Sequence, residues 1–517
     1  MDRRFITAFL ISLVILLAYP YYLKMVGVNQ KPDVIYEKKE ASELVAVETP
    51  QPKPAGGKAI PYKNNLFDLV FTTQGGNVLL LTQGDTTLYK AGVHEGGIFG
   101  LKLLYENENL ADEIFQAEST PHFVYEKPGQ FRLQKNYFVG GEVPTLVLEL
   151  QIENLSDREK NFSFALDYAL EMGFHASADQ GMAKMVRLSG DELHTVNFAT
   201  LRKKPSIVAE SIDWQGLVKK YYTILVKPDW KMVGQETEIK SERLASELKF
   251  TPLTVPAGGK ATARILIYAG PLHYGTLKKF GLGFERIFSH GTLGILRVAL
   301  LSGLNFFYGL TKNYGVAILM ITLLIKLLFT PLTHLSYGSM GKMQALQPKI
   351  KALQKQHQKD PARMNKEMME LYRRNRVNPM MGCLPLVLQI PIFISFYQVL
   401  SQAVELKGAD FIFWIHDLSG PDRLFTFPTT LPFVGNAFNL LPILMLGSML
   451  WQQKLTPQTA TAPGQEKLMY LMPIIFGFVF YNLPSGLVLY WIVNNLLTIF
   501  HQLVIKRIPI IIHHEDR

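Results

Sequence analysis

Polar side chains set inside apolar runs are where this chain could do chemistry. Lys326 lies in the run 314–332 and is the only charged residue within six apolar stretches, 5–23, 314–332, 383–404, 431–451, 468–483 and 485–505. An ionisable group at membrane depth is costly and turns toward protein or a wet cavity. It falls five residues before Pro331, so a lysine snorkelling to the interface is the alternative reading. Thr322, four residues earlier, shares its helical face. Gln389, Ser395, Gln398 and Gln402 add hydrogen-bonding groups to the run 383–404, and Asn494, Asn495 and Thr498 add them to the run 485–505. One cation among uncharged polar groups makes neither an ion pair nor a proton relay. It suits a hydrated groove that accepts the polar flanks of a peptide while apolar helix surface stays against lipid.

Other chemistries find no support in residue type and spacing. Cys383 is the single cysteine, which excludes an intramolecular disulfide framework and leaves no zinc or redox motif. His94-Glu95, His122, His175 and His194 lack metal-ligand spacing and read as surface or satisfied loop residues. There is no phosphate-binding glycine loop. No metal, cofactor or enzymatic reaction is expected.

The elements that position these residues follow from where charge and apolar residues fall. The 517 residues are 48% hydrophobic and 19% charged, with a net charge of +10; an ordinary soluble domain carries about 25% charged residues. Residues 1–23 read as an uncleaved signal-anchor span, because Phe5–Leu23 is apolar, Arg3 and Arg4 precede it and no small-residue cleavage site follows. Residues 24–61 are rich in Lys, Glu, Pro and Gly and read as a disordered linker. From 62 to 281 short β-rich runs, Leu66–Thr72, Val78–Leu81, Phe131–Phe138, Thr145–Ile152, Phe162–Leu170, Lys219–Val226 and Ala261–Ile267, alternate with turn signals and predict one large antiparallel β-sandwich. Residues 284–312 follow. On a helical wheel His290, Gly294, Arg297, Ser302, Asn305, Gly309 and Lys312 share an arc opposite Leu296, Ala299, Leu300, Phe306, Phe307 and Leu310, which predicts an amphipathic helix lying in the interface.

Charge sets the topology. Segment 333–380 carries ten basic residues against three acids, Asp360, Glu367 and Glu370, and is placed in the cytoplasm by the positive-inside rule. With the amino terminus inside and the β-domain outside, one span lies between them, and this also keeps 284–312 out of the bilayer core. Spans 314–332, 383–404, 431–451, 468–483 and 485–505 follow, giving six in all with the anchor. Loop 405–430 falls outside; loop 452–467 and tail 506–517 fall inside. Two apolar stretches, 437–451 and 468–483, are shorter than the ~20 residues that a bilayer asks for, so the bilayer should thin there. The excess positive charge thereby belongs to membrane topology, with no DNA partner implied.

Asp360-Pro361 is a helix-start pair that divides the cytoplasmic segment into a helix over 337–357 and another over 362–376, forming an antiparallel hairpin. Met340, Met343, Leu346, Ile350 and Leu353 stripe the first helix, and Met364, Met368, Leu371 and Tyr372 the second. Two readings stand: mutual packing inside the hairpin, or Met-rich surface flanked by cations such as Lys349, Arg373 and Arg374 that meets hydrophobic segments or an anionic partner such as RNA.

Several runs in order carry a resemblance: Pro331-Leu-Thr, Ser339-Met-Gly-Lys-Met343, Leu346-Gln-Pro-Lys-Ile350, Asn378-Pro-Met-Met-Gly-Cys-Leu-Pro385, Gln389-Ile-Pro-Ile-Phe393, Trp414-Ile-His-Asp-Leu-Ser419 and Pro484-Ser-Gly-Leu-Val-Leu-Tyr-Trp491 with Asn494 and Asn495. They resemble the YidC membrane-protein insertase family over about 210 residues. The anchor and large outside domain resemble its Gram-negative inner-membrane branch, related to the mitochondrial Oxa and thylakoid Alb insertases. The resemblance implies a polytopic α-helical membrane protein whose five-span core encloses a hydrophilic groove, with a periplasmic β-supersandwich and both termini cytoplasmic. It implies nascent membrane proteins as substrates, the Sec translocon and its accessory subunits as partners, membrane lipids around the core, and the ribosome or signal-recognition-particle system as candidates to meet the hairpin. Lys326 falls where the family usually carries arginine, keeping the charge without the forked donor array. Thr322 and Gln389 match groove positions, and Trp491 falls where relatives carry tyrosine or tryptophan. A long basic ribosome-binding tail is not expected after Lys506-Arg507. The alternative from the residues alone is a small-solute transporter or channel, which would tend to show paired halves that are not seen here; a carbohydrate-binding β-domain would need one anchor only.

Overall fold

In Phe131-Arg-Leu-Gln-Lys-Asn-Tyr137 the extended backbone sends alternate side chains to opposite faces, and Phe131, Leu133, Lys135 and Tyr137 are buried while the residues between them are not. The same alternation runs through Thr145–Asn154, paired antiparallel with it from Phe131 opposite Asn154 to Val139 opposite Leu146. The computed structural model describes residues 57–507 apart from 85, 92–96, 104–109, 120, 172–181, 241–242, 358–359, 376, 379–380, 382–383, 432–434 and 457–464. The expected anchor span, most of the expected linker, Cys383, His94-Glu95 and His175 lie outside the described residues. The chain divides into two compact units between Ile287 and Phe288.

The first unit is β-rich. A nine-stranded sheet runs Glu192–Asn197, Lys184–Ser189, Trp214–Val218, Tyr222–Pro228, Lys260–Pro271, Thr145–Asn154, Phe131–Val139, His122–Lys127 and Gln116–Ser119. A five-stranded sheet runs Ser206–Val208, Met232–Lys240, Arg243–Phe250, Phe164–Glu171 and Gly100–Leu103, and a four-stranded meander runs from Ala59–Lys63 to Thr86–Lys90. Gln215 of the large sheet donates across to Ser246 Oγ (2.7 Å) and Thr237 Oγ1 (3.1 Å) of the five-stranded sheet. Phe71, Phe123, Tyr137, Leu148 and Ile265 are among the fully buried residues of the core.

Lys135 is the exception to the apolar inward face. Its ammonium is fully buried and donates to Gly75 O (2.8 Å), Phe99 O (2.7 Å) and Asn77 Oδ1 (3.0 Å). Burial without an adjacent acid pushes its pKa well below the ordinary lysine value.

The second unit is helical: α1 (Gly294–Thr311), α2 (Tyr314–Ala345), α3 (Gln347–Gln356), α4 (Pro361–Arg374), α5 (Leu384–Gln402), α6 (Leu441–Leu455), α7 (Gln465–Phe480) and α8 (Ser485–Arg507). Among the described residues α1, α2 and 485–504 of α8 are long and apolar enough to cross a membrane, while 387–402 and 471–480 are shorter apolar helices. α1 packs on α2 and α5, α6 on α7 and α8, and α8 on α2. Pro331 sits inside α2 without ending it. The hydroxyls of Thr330 and Thr333 bond back to the carbonyls of Lys326 and Phe329 (both 2.8 Å), supporting the turn that the proline weakens.

Three sequence expectations are corrected. The helix expected over 337–357 does not begin afresh: α2 continues through it to Ala345, and the break falls at Leu346. Pro348 in the first turn of α3 supplies no N–H for the carbonyl of Gln344 and its ring would collide with it, so the break belongs there. The run 431–451 is not one helix. Its first residues belong to a β-hairpin, Phe425–Leu431 with Gly435–Phe438, and α6 starts at Leu441; Gly435 takes the left-handed conformation (φ 78°) open to a residue without Cβ. The polar arc on α1 is not one water-facing surface: His290, Ser302, Gly309 and Lys312 are exposed, but Gly294 is buried and Arg297 and Asn305 turn onto protein. Arg297 Nη1 donates to Gln398 of α5 (3.1 Å) and Asn305 accepts from the Tyr314 hydroxyl (3.2 Å), whereas Phe306 and Leu310 are exposed. Polar groups within an apolar helix turn onto protein partners.

Candidate functional site

Five helices surround a cavity of about 490 Å³, lined by residues within 325–340 of α2, 385–392 of α5, 449–453 of α6 with its C-cap Thr456, 472–476 of α7 and 491–498 of α8. Lys326 is the only charged residue among the described lining residues. Its ammonium donates to Thr498 Oγ1 at 2.6 Å, and that hydroxyl donates to Asn494 O, also at 2.6 Å. The charge is thus held by neutral oxygen with no acid to cancel it. Such a wall is positive and wettable, and attracts acidic or polar chain.

Gln389 and Trp491 form the inner end. Gln389 Nε2 donates to the Tyr490 hydroxyl, and the Tyr490 ring stacks on Phe396 at 4.6 Å. Trp491 packs edge-on against Phe393 and Phe480, both 5.2 Å away, and its indole nitrogen is buried without a partner. Beyond this floor the helices close on one another: Ala317, Ile318 and Ile321 of α2 and Leu487, Val488 and Tyr490 of α8 are buried. The cavity therefore occupies the half of the unit nearer α3 and α4.

Four of the five groove residues expected from sequence, Lys326, Gln389, Trp491 and Asn494, line the cavity. Thr322 does not. It is buried, and its hydroxyl bonds back to Ile318 O at 2.6 Å, one turn below Lys326. Gln452 and Gln453 of α6 and its C-cap Thr456 line the cavity unforeseen; the polar run Gln452–Lys454 ending a mostly apolar helix was the available signal. Asn495 donates to Ser448 (2.9 Å) and Gln502 to Thr456 (3.0 Å), joining α8 to α6.

Of the hairpin residues, Met340 lines the cavity. Met343 is buried with Leu346, Ile350, Tyr372 and Val377, and Met368 packs against that cluster. Met364 is half-buried, and Lys349, Arg373 and Arg374 are exposed. Arg374 pairs with Glu370 at 2.7 Å. Asp360 caps α4 by accepting from Arg363 N at 3.0 Å. The methionine stripe thus serves mainly the hairpin's own packing, with Met340 the member that reaches the cavity. Among the described residues no group of three or more His, Cys, Asp or Glu could hold a metal ion.

Comparison with known proteins gives the arrangement a family. The model of the "60Kd inner membrane protein" family matches residues 306–511. A membrane protein insertase YidC of Geotalea daltonii is 30% identical over 543 aligned positions, covering 98% of this chain and 99% of the relative. The chain belongs to the YidC insertase family. A YidC insertase of Pelobacter propionicus is 40% identical over 323 positions, which span 62% of this chain and 58% of that relative's length. A solved active YidC insertase with its first transmembrane domain resolved is 21% identical, covers 86% of this chain and 92% of its own, and superimposes with a TM-score of 0.40. The family match takes in every helix that lines the cavity and both hairpin helices; the full-length YidC alignment takes in the β-rich unit as well.

Proposed function

We propose that this chain inserts membrane proteins into the inner membrane by receiving their polar flanks in the cavity around Lys326, the activity for which its YidC relatives are named. The observation that carries this reading is a wettable cavity whose one charge has no counter-ion and whose far end is packed shut. A channel needs a path open at both ends; a cavity closed at one end can hold a short polar flank while the adjoining apolar segment passes sideways into lipid. No covalent step is required, because an apolar segment gains a few tenths of a kcal/mol per Leu, Ile or Phe on entering the bilayer.

In this reading the chain has six spans, five of them forming the core, with both termini cytoplasmic, the β-rich unit is a periplasmic supersandwich, and the hairpin is the receiving element for nascent chains. α1 lies on the periplasmic surface of the bilayer, as the parity of the basic loops requires, with Ile295, Phe306 and Leu310 toward lipid. Cooperation with the Sec translocon, and with the ribosome or signal-recognition-particle system through the hairpin, belongs to the same proposal.

Reconstitution tests it. Liposomes containing the purified protein and given a short single-span substrate should yield protease-protected translocated tails. Solute uptake without protected tails would replace insertion by transport.

A further inference from the structure

At the end of the helical unit opposite the hairpin, loop 407–423 crosses the chain ends of α2 and α8 and is fastened by an unusual density of hydrogen bonds. Asp422, only 5% exposed, uses one oxygen, Oδ2, to accept from Trp414 Nε1 (2.9 Å), Leu440 N (2.8 Å) and Leu441 N (3.0 Å). The last two are backbone donors at the start of α6, which no turn of that helix can satisfy. Asp417 Oδ1 accepts from Gly408 N (3.1 Å) and from Ser419 N and Oγ (both 2.8 Å). Ser485, first residue of α8, donates its N–H to Gly420 O (2.6 Å) and its hydroxyl to Asp417 O (2.7 Å).

Two glycines let the loop down onto the helices. The Phe411 ring occupies the space a side chain would need at Gly315 of α2, and a Cβ at Gly486 would meet Leu418 O at 3.0 Å, Ile318 Cδ1 at 3.1 Å and Leu400 Cδ1 at 3.6 Å. Loop, α2, α5 and α8 therefore converge on Gly486.

The loop is held in a strained form. Phe413, next to Trp414, and Arg423, next to Asp422, take left-handed conformations (φ 56° and 37°) that bulky L-residues avoid. Such residues persist only where surrounding structure over-determines them. Here the strained positions flank the two ends of the Trp414–Asp422 bond.

We infer that Asp422 is a positioning residue: it latches loop 407–423 to Trp414 and to the start of α6, and so keeps the cavity shut at the end away from the hairpin. The inference rests on the groove reading above but concerns its closure. Without the acceptor the strained ends relax, the loop lifts from Gly315 and Gly486, and the packed layer beneath it becomes reachable from the periplasmic side.

The test is side-specific labelling of the full chain in inverted and right-side-out vesicles. In a Cys383→Ser background, Asn494→Cys reports the cavity and Ile412→Cys reports the exposed loop tip. A membrane-impermeant maleimide on the periplasmic side should label Ile412→Cys but not Asn494→Cys. Adding Asp422→Ala should raise periplasmic labelling of Asn494→Cys several-fold, and Asp422→Asn, which keeps an acceptor oxygen, should restore the parent. Trp414→Phe leaves the caps on α6 in place and should give a smaller rise, so the question stays answerable if Asp422→Ala fails to accumulate. Unchanged labelling in both variants overturns the inference, as does Asp422→Asn labelling as fast as Asp422→Ala. Loss of insertion by the reconstituted parent would sink the insertase reading while leaving this side-specific result to stand or fall separately.

Discussion

Lys326 is a cation whose nearest partner is a hydroxyl, and that makes its charge available. Lys326→Glu should lower insertion of acidic-tailed substrates by about tenfold, the equivalent of ~1.4 kcal/mol of lost attraction, with a smaller effect on neutral tails; equal loss on both, measured by protected-tail yield, would remove the electrostatic role. Lys135 presents the opposite case, a cation with nothing to attract. Its lowered pKa means that, between that value and the ordinary lysine value near 10.5, the unfolded chain holds a proton that the folded chain does not. Stability contributed there rises with pH across that window and is flat below it. Lys135→Met should lose about 1–3 kcal/mol by stripping the donor from the carbonyls of Gly75 and Phe99, and the deficit should widen toward alkaline pH. The urea midpoint followed through Trp214 and Trp230 would show this; a deficit independent of pH would refute it. Lys326 was legible in the sequence as an isolated charge. Its bond to Thr498 was not, because the partner lies 172 residues away, and Thr322 was misplaced because spacing gives a face but not which way a hydroxyl turns.

At the scale of elements, the α3–α4 hairpin depends on very little. Among the described residues its core holds only Met343, Leu346, Ile350, Tyr372 and Val377 as buried residues. Ile350→Ala should cost about 2–5 kcal/mol and release the hairpin, read as protease nicking confined to 346–377 while the rest of the helical unit stays protected. Asp360→Ala removes the cap of α4 at about 1 kcal/mol and should speed amide exchange in the first turn of α4 alone. Helix α4 was announced by Asp360-Pro361, whereas the joint at Leu346 was hidden inside a continuous methionine stripe. The hairpin at 425–438 was masked in the same way, since its residues are apolar enough to read as membrane span. In the β-rich unit the apolar strands stood out, and Met232–Lys240 and Arg243–Phe250 did not. Their charged outward faces dilute the signal although Leu244 and Leu248 are fully buried.

For the molecule as a whole, helix length against bilayer thickness is the governing comparison. α6 has 15 residues and α7 has 16, which at 1.5 Å per residue gives about 22–24 Å against a hydrocarbon core of ~30 Å. Insertion should therefore fall as vesicle acyl chains lengthen and hold or rise as they shorten; indifference to chain length in the protected-tail assay would refute local thinning. The division into a β-rich unit and an apolar helical unit was legible because charge and hydropathy are partitioned along the chain. The closure of one cavity end was not, because it is made by backbone donors and by glycines that accept close approach.

The unbroken course of α2 has a mechanical consequence. Its 32 residues make a strut about 48 Å long that carries Gly315 beneath the latched loop, Lys326 in the cavity wall, and Met343 in the hairpin core. A load taken up at the hairpin is passed along one rod to the cation, with Pro331 as its single weak joint and the latched loop as its fixed anchorage.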